Sequence, residues 1–161
     1  MVRSLGRWQE MDFRGAVERA VKMEEASYNF YANLADVVED RSIAEFAKEL
    51  AEWELSHKEK LLSLLDGEIS TEELGKQLPQ TLGIAELFDE DSHAPGKDVK
   101  LEELLRFGIT KEKKAAKLYE SLKIAVDDPV LVELFDKLRS EELTHQEKLE
   151  KLYEDMILEG P

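Results

Sequence analysis

Residues 50–62 read "LAEWELSHKEKLL". Leu50 and Leu61 belong to the apolar stripe of an amphipathic helix, yet between them the stripe holds Glu54 and His57. A buried carboxylate is costly unless it is paired or bound to a cation. The helix that aims this pair inward is therefore read as one wall of a polar site inside an apolar core. The rest of the chain has to supply the other walls.

The stripe around the pair, Ile43, Phe46, Leu50, Leu61 and Leu64, defines a helix from near Ser42 to the "DG" at Asp66-Gly67. Before it, Asp12 reads as the N-cap of a helix reaching Val38, with Val17, Val21, Tyr28, Tyr31, Ala35 and Val38 spaced by three or four. After it, Leu101, Leu105, Ile109, Ala116, Tyr119 and Leu122 mark a third helix. Asp128 and Pro129 open a fourth, carrying Leu131, Leu134, Phe135, Leu138, Leu149 and Leu152. No segment alternates as a strand would. The expectation is an all-α chain, one domain over residues 1–161, with helices at about 12–38, 42–66, 100–126 and 129–158. Short links make helices one and two, and three and four, antiparallel hairpins. Residues 67–99 form a long crossover that returns the chain to its starting end, with short helical turns expected at Thr71–Leu74 and Ile84–Phe88.

The two hairpins are copies. At an offset of 88, Glu24 falls on Glu112, Tyr31 on Tyr119, Leu34 on Leu122, Glu54 on Glu142 and His57 on His145, and "EKL" at 59–61 on "EKL" at 147–149. The register holds without a gap through both hairpins, so a pseudo-twofold axis should relate them. Two of the three histidines in the chain are in the repeat.

Glu24 and Glu112 lie on the apolar stripes of helices one and three. Glu54 with His57, and Glu142 with His145, interrupt those of helices two and four. Residues three apart are separated by ~60° around a helix and ~4.5 Å along it, so each Glu and His can reach one ion or two neighbouring ions from the same side. Four inward carboxylates would repel and raise one another's pKa. Two divalent cations cancel that charge, and two neutral imidazoles complete the set. Oxygen and imidazole donors suit iron or manganese, and imidazole also suits zinc. Spacing alone decides nothing: "EDSH" sets Glu90 three before His93, but in an acidic stretch beside Pro95 with no apolar stripe, and it reads as chance. Tyr28, Tyr31 and Tyr119 are core aromatics whose hydroxyls need partners, and the ligating carboxylates are the candidates. Glu25 and Glu141 point ~100° from their ligand neighbours and are expected in solvent. Trp53 is off the stripe and is expected on a helix flank or an oligomer contact.

Composition narrows the function classes. Of 161 residues, 37 are Asp or Glu against 22 Lys or Arg, a formal charge of −15, which repels nucleic acid and anionic membranes. The absence of cysteine removes disulfides, iron–sulfur clusters, thiolate zinc sites and a cysteine nucleophile. No run of membrane-spanning length and no secretory leader is seen, so a soluble, cytoplasmic protein is expected.

A bundle of two hairpins with one long crossover is the ferritin-like arrangement, and two Glu plus two Glu-x-x-His is the ligand set of its di-iron members. The segments "VKMEEASYNFYANLA", "LAEWELSHKEKLL", "TKEKKAAKLYESL" and "LRSEELTHQEKLE" resemble the rubrerythrin branch of those proteins over all four helices. The resemblance implies two irons bridged by Glu54 and Glu142, with Glu24 and His57 terminal on one and Glu112 and His145 on the other. Two departures stand out. Rubrerythrins proper carry a cysteine-ligated rubredoxin domain, which this cysteine-free chain lacks, so an external electron donor such as a rubredoxin is expected. They also carry a further glutamate where this chain has Ala115, which puts their redox-linked ligand exchange in doubt. Only "ILEGP" follows the last helix, against the fifth helix of a storage ferritin.

Three functions compete on this reading. The first is an oxidoreductase reducing hydrogen peroxide or dioxygen, of peroxide reductase or ferroxidase type. The second is iron oxidation for sequestration. The third is a bundle around a redox-silent zinc or manganese pair. A homodimer is expected, as ferritin-like chains usually pair.

Overall fold

Asp12 starts the first helix by accepting a hydrogen bond on Oδ1 from Gly15 N at 2.7 Å, and α1 runs Phe13–Val37. The computed structural model describes residues 11–67, 76–88 and 100–159. Asp40 caps α2, Arg41–Leu65, with Oδ1 accepting from Ser42 N at 2.9 Å and Ile43 N at 3.2 Å. The helix stops at Gly67, whose φ of 82° is the left-handed conformation that a side chain would strain. A short α3, Ile84–Leu87, packs on α4, Leu101–Ala125. Lys100 gives α4 no side-chain cap, and Glu102 and Glu103 stand in its first turn, where the helix dipole favours them. Asp128 Oδ1 accepts from Val130 N at 2.9 Å at the start of α5, Pro129–Glu159. The expected turn at Thr71–Leu74 and the Glu90/His93 pair lie outside the described residues.

Residues 38–40 and 126–128 are the two hairpin links, so α1 packs on α2 and α4 on α5. The result is an all-α four-helix bundle of two antiparallel hairpins joined by the long crossover. The crossover is tied to the start of α1 by one antiparallel bridge, Asp12 to Gln77, with Phe13 N donating to Lys76 O at 2.8 Å and Leu78 N to Met11 O at 3.0 Å. Ser121 Oγ donates to Leu82 O at 3.3 Å and fixes its later part to α4.

The core is two apolar clusters with a polar layer between them. One gathers Phe13, Val17, Leu61, Leu64, Leu118, Leu122, Leu131, Phe135 and Leu138; the other gathers Phe30, Leu34, Ala47, Leu50, Leu105 and Leu149. On every long helix the break between the clusters falls at a charged residue: Glu24 on α1, Glu54 and His57 on α2, Glu112 on α4, Glu142 and His145 on α5. The apolar ends supply the burial that holds the bundle together, at roughly 25 cal/mol for each Å² of apolar surface removed from water. That burial is what allows the middle layer to be polar. No described helix is long and apolar enough to cross a membrane.

Candidate metal centre

All six of these charged residues are buried, none more than 4% exposed. They form two overlapping groups: Glu24, Glu54, His57 and Glu142, and Glu54, Glu112, Glu142 and His145. In each, one donor atom per residue lies within 4.8 Å of the others. Glu54 and Glu142, which match at the offset of 88, belong to both.

Each histidine turns Nδ1 inward. His57 Nδ1 is 3.2 Å from Glu24 Oε2, 3.6 Å from Glu54 Oε1 and 2.9 Å from Glu142 Oε1. The last contact is close but lacks the alignment of a hydrogen bond, because Glu142 Oε1 still has no hydrogen-bond partner. His145 Nδ1 is 3.6 Å from Glu54 Oε1 and 3.8 Å from both Glu112 Oε2 and Glu142 Oε1. The two imidazoles lie nearly parallel, with ring centroids 6.2 Å apart.

The tyrosines close the layer from either apolar end. Tyr31 Oη donates to Glu112 Oε1 at 2.7 Å, and Tyr119 Oη donates to Glu24 Oε1 at 2.8 Å. Burial, and then the carboxylate each one meets, hold both phenols well above their ordinary pKa, so each remains a donor. Gly108 allows Tyr31 this approach: a Cβ there would sit 3.3 Å from the tyrosine hydroxyl. Tyr28 does not join them. It lies ~40° round the helix from Glu24, on the side away from Ser27, Phe30 and Leu34, and packs half-buried against the cluster of Phe30 and Leu50.

The electrostatics are those of a cluster lacking positive charge. Burial, followed by repulsion from Glu24 and Glu112, raises Glu54 to about 8. Burial, then repulsion from Glu54 and Glu112, holds Glu142 well above the carboxylate range, and burial lifts Glu24 against the opposing pull of His57. Burial works to depress the histidines, yet Glu141 and Glu24 lift His57 to about 10, and Glu112 and Glu54 lift His145 to about 9. Without metal, the site meets this charge by retaining protons on Glu54, His57 and His145. Among the described residues, five buried side-chain polar atoms have no hydrogen-bond partner: Glu54 Oε1, Glu112 Oε2, both oxygens of Glu142 and His145 Nδ1. All belong to the two groups. Polar atoms left bare at this depth are rare in folded proteins. Divalent cations held by carboxylate oxygen and imidazole nitrogen would satisfy them, so the donor set fits a metal centre.

Two contacts depart from the sequence reading. Glu141, expected in solvent, places Oε2 2.7 Å from His57 Nε2, with its side chain only 14% exposed. Trp53, expected on a flank or oligomer contact, sets its ring edge-on to His145 at 5.7 Å and tilted to His57 at 6.3 Å, and so covers both imidazoles. Each helix of a bundle has two neighbours, so positions beside the central stripe face an adjacent helix rather than water. A histidine that gives one nitrogen to a metal also needs an acceptor for the other, and that was the available signal for Glu141. Glu25 is in solvent as expected, with an exposed contact to Lys58 at 3.1 Å. Ala115 is buried in the apolar cluster with Leu118 and Leu122.

A family model described as Rubrerythrin matches residues 10–89 and 103–160. No curated protein matches the chain. Among solved structures, a protein from Thermotoga maritima described as a ferritin-like diiron-carboxylate protein is similar, with 24% identity and a TM-score of 0.74, over 91% of this chain and 97% of that one. A hypothetical protein from Pyrococcus furiosus is 22% identical with a TM-score of 0.70, over 89% of each chain. These likenesses identify the bundle as ferritin-like.

Proposed function

This chain belongs to the rubrerythrin family, and on that premise we propose that it is a non-haem di-iron oxidoreductase reducing hydrogen peroxide or dioxygen. The observation that carries the reading is the pair of matched four-residue groups sharing Glu54 and Glu142. One ion would be held by Glu24 and His57 and its neighbour by Glu112 and His145, with Glu54 and Glu142 available to both. Two adjacent iron(II) ions supply two electrons together, which is the number that cleavage of a peroxide O–O bond takes up.

The protein's own part is to hold, orient and seal. Tyr31 and Tyr119 orient Glu112 and Glu24 through their hydroxyl protons. Glu141 accepts the Nε2 proton of His57 and so keeps Nδ1 free to ligate. The apolar clusters on both sides exclude bulk water and strengthen every interaction within the layer. With Ala115 in the apolar wall, the exchange of a carboxylate for a histidine has no carboxylate at that position to use. This chain has no cysteine and thus no thiolate-ligated iron, so the proposal includes a separate electron donor such as a rubredoxin. It also includes pairing of two chains.

The test is to load the metal-free protein with iron(II) anaerobically, mix it with peroxide or with dioxygen, and follow the absorbance. Oxidation faster than that of free iron(II), at about two irons per chain, supports the reading. Oxidation no faster than free iron(II) overturns it.

A further inference from the structure

We infer that the two metal subsites are unequal, and that the residue pair Glu141 and Trp53 sets the order in which they fill. The inference rests on the two-metal reading above and deepens it.

The repeat matches the two halves of the centre residue for residue: Glu24 with Glu112, Glu54 with Glu142, His57 with His145 and Tyr31 with Tyr119. It breaks at the position just before each shared glutamate, where α2 has Trp53 and α5 has Glu141. The fold carries both residues across the bundle to the histidine of the opposite hairpin. Glu141 Oε2 lies 2.7 Å from His57 Nε2, while the Trp53 ring lies 5.7 Å from that of His145 and 6.3 Å from that of His57, so the carboxylate serves one histidine alone. One imidazole therefore hands its outer proton to a carboxylate. The other meets an indole, whose single polar group is a donor and accepts nothing.

The consequences run the same way. A carboxylate on the outer nitrogen fixes the tautomer that leaves Nδ1 free, holds the ring in place and makes Nδ1 a stronger donor. Glu141 also brings a largely shielded negative charge to the Glu24/His57 side, where its side chain is only 14% exposed. Trp53 brings no charge to the other side, and at 41% exposure it forms a thin cover over His145. The Glu24/His57 subsite accordingly takes the first ion and holds it more tightly. The Glu112/His145 subsite fills second and empties first.

Titration of the metal-free protein with cobalt(II), followed by visible absorbance and calorimetry, tests this without any turnover. Two binding events are expected; Glu24→Gln removes the tighter and Glu112→Gln the weaker. Repulsion between ions sharing two carboxylates separates the events to some degree in any case, so residues 141 and 53 give the deciding readout. Glu141→Ala should weaken the tight event by about 10- to 100-fold and leave the weak one in place. The reciprocal Trp53→Glu, made at a half-exposed position that tolerates it, should tighten the weak event. If no cobalt binds, the two-metal reading itself fails. If two ions bind with equal affinity, or Glu141→Ala shifts both events alike, the metal centre stands and the inequality is overturned.

Discussion

The hydroxyl of Tyr119 on α4 donates to Oε1 of Glu24 on α1 at 2.8 Å. Tyr31 repeats this contact on Glu112 at 2.7 Å. Each bond joins the two hairpins through a proposed ligand, so structure and site share it. Tyr119→Phe keeps the ring in its apolar cluster and leaves a buried carboxylate oxygen bare. The metal-free protein should lose about 1–3 kcal/mol, read from denaturant unfolding. Metal affinity should fall about tenfold or more on the Glu24 side only, read by titration. Tyr31→Phe should do the same on the Glu112 side.

Charge in the polar layer opposes folding until cations arrive. Metal at about 100 times its dissociation constant adds about 2.7 kcal/mol, so a strong chelator should lower the melting temperature of loaded protein by several degrees. Glu54→Gln should abolish that response. A Glu54→Gln protein still stabilised by metal as the wild type is would overturn the bridging role.

Proton linkage gives the metal-free protein an unusual pH profile. Glu54 rises from 4.5 to about 8, and His57 and His145 rise from 6.5 to about 10 and about 9. All three shifts are upward, so the folded chain retains protons that the unfolded chain releases. Their stabilising contribution is complete below pH 4.5 for Glu54 and below 6.5 for the histidines. It is lost as pH rises through the folded values. Melting of the metal-free protein should therefore fall steadily from about pH 6 to about pH 9. Metals compete with those same protons, so the gain in melting temperature on loading should grow across that window. A metal-free melting temperature that rises over this range would contradict the linkage.

The apolar layer nearest Tyr119 should transmit damage to the site. Phe135 is fully buried, stacked at 6.3 Å on Tyr119 and edge-on at 5.9 Å to Phe13. Phe135→Ala should cost about 3–5 kcal/mol through the cavity it leaves. By loosening Tyr119 it should also weaken metal binding on the Glu24 side more than on the Glu112 side, which unfolding and cobalt titration together can show.

The bundle was legible because its helices carry long, regular stripes: Leu50, Leu61 and Leu64 on α2 already state a helix, and the offset of 88 doubles the statement. The residues that interrupt those stripes were legible for the same reason. A Glu or His in an apolar register is visible without coordinates, and the structure gathers Glu24, Glu54, His57, Glu112, Glu142 and His145 into one layer. Tyr28 was misplaced because a stripe spans a wide arc, and its own ~40° turn from Glu24 takes it to the flank.

Sequence alone determined which face of each helix turns inward and what chemistry lies on it, because helical periodicity is a property of each segment by itself. Tertiary structure decided which residues meet across helices. Glu141 and Trp53 both stand one step, ~100°, from a shared glutamate, and no pattern along the chain says that the first reaches His57 while the second covers His145. That depends on how α2 and α5 cross and in what register, which is set by the packing of both apolar clusters at once.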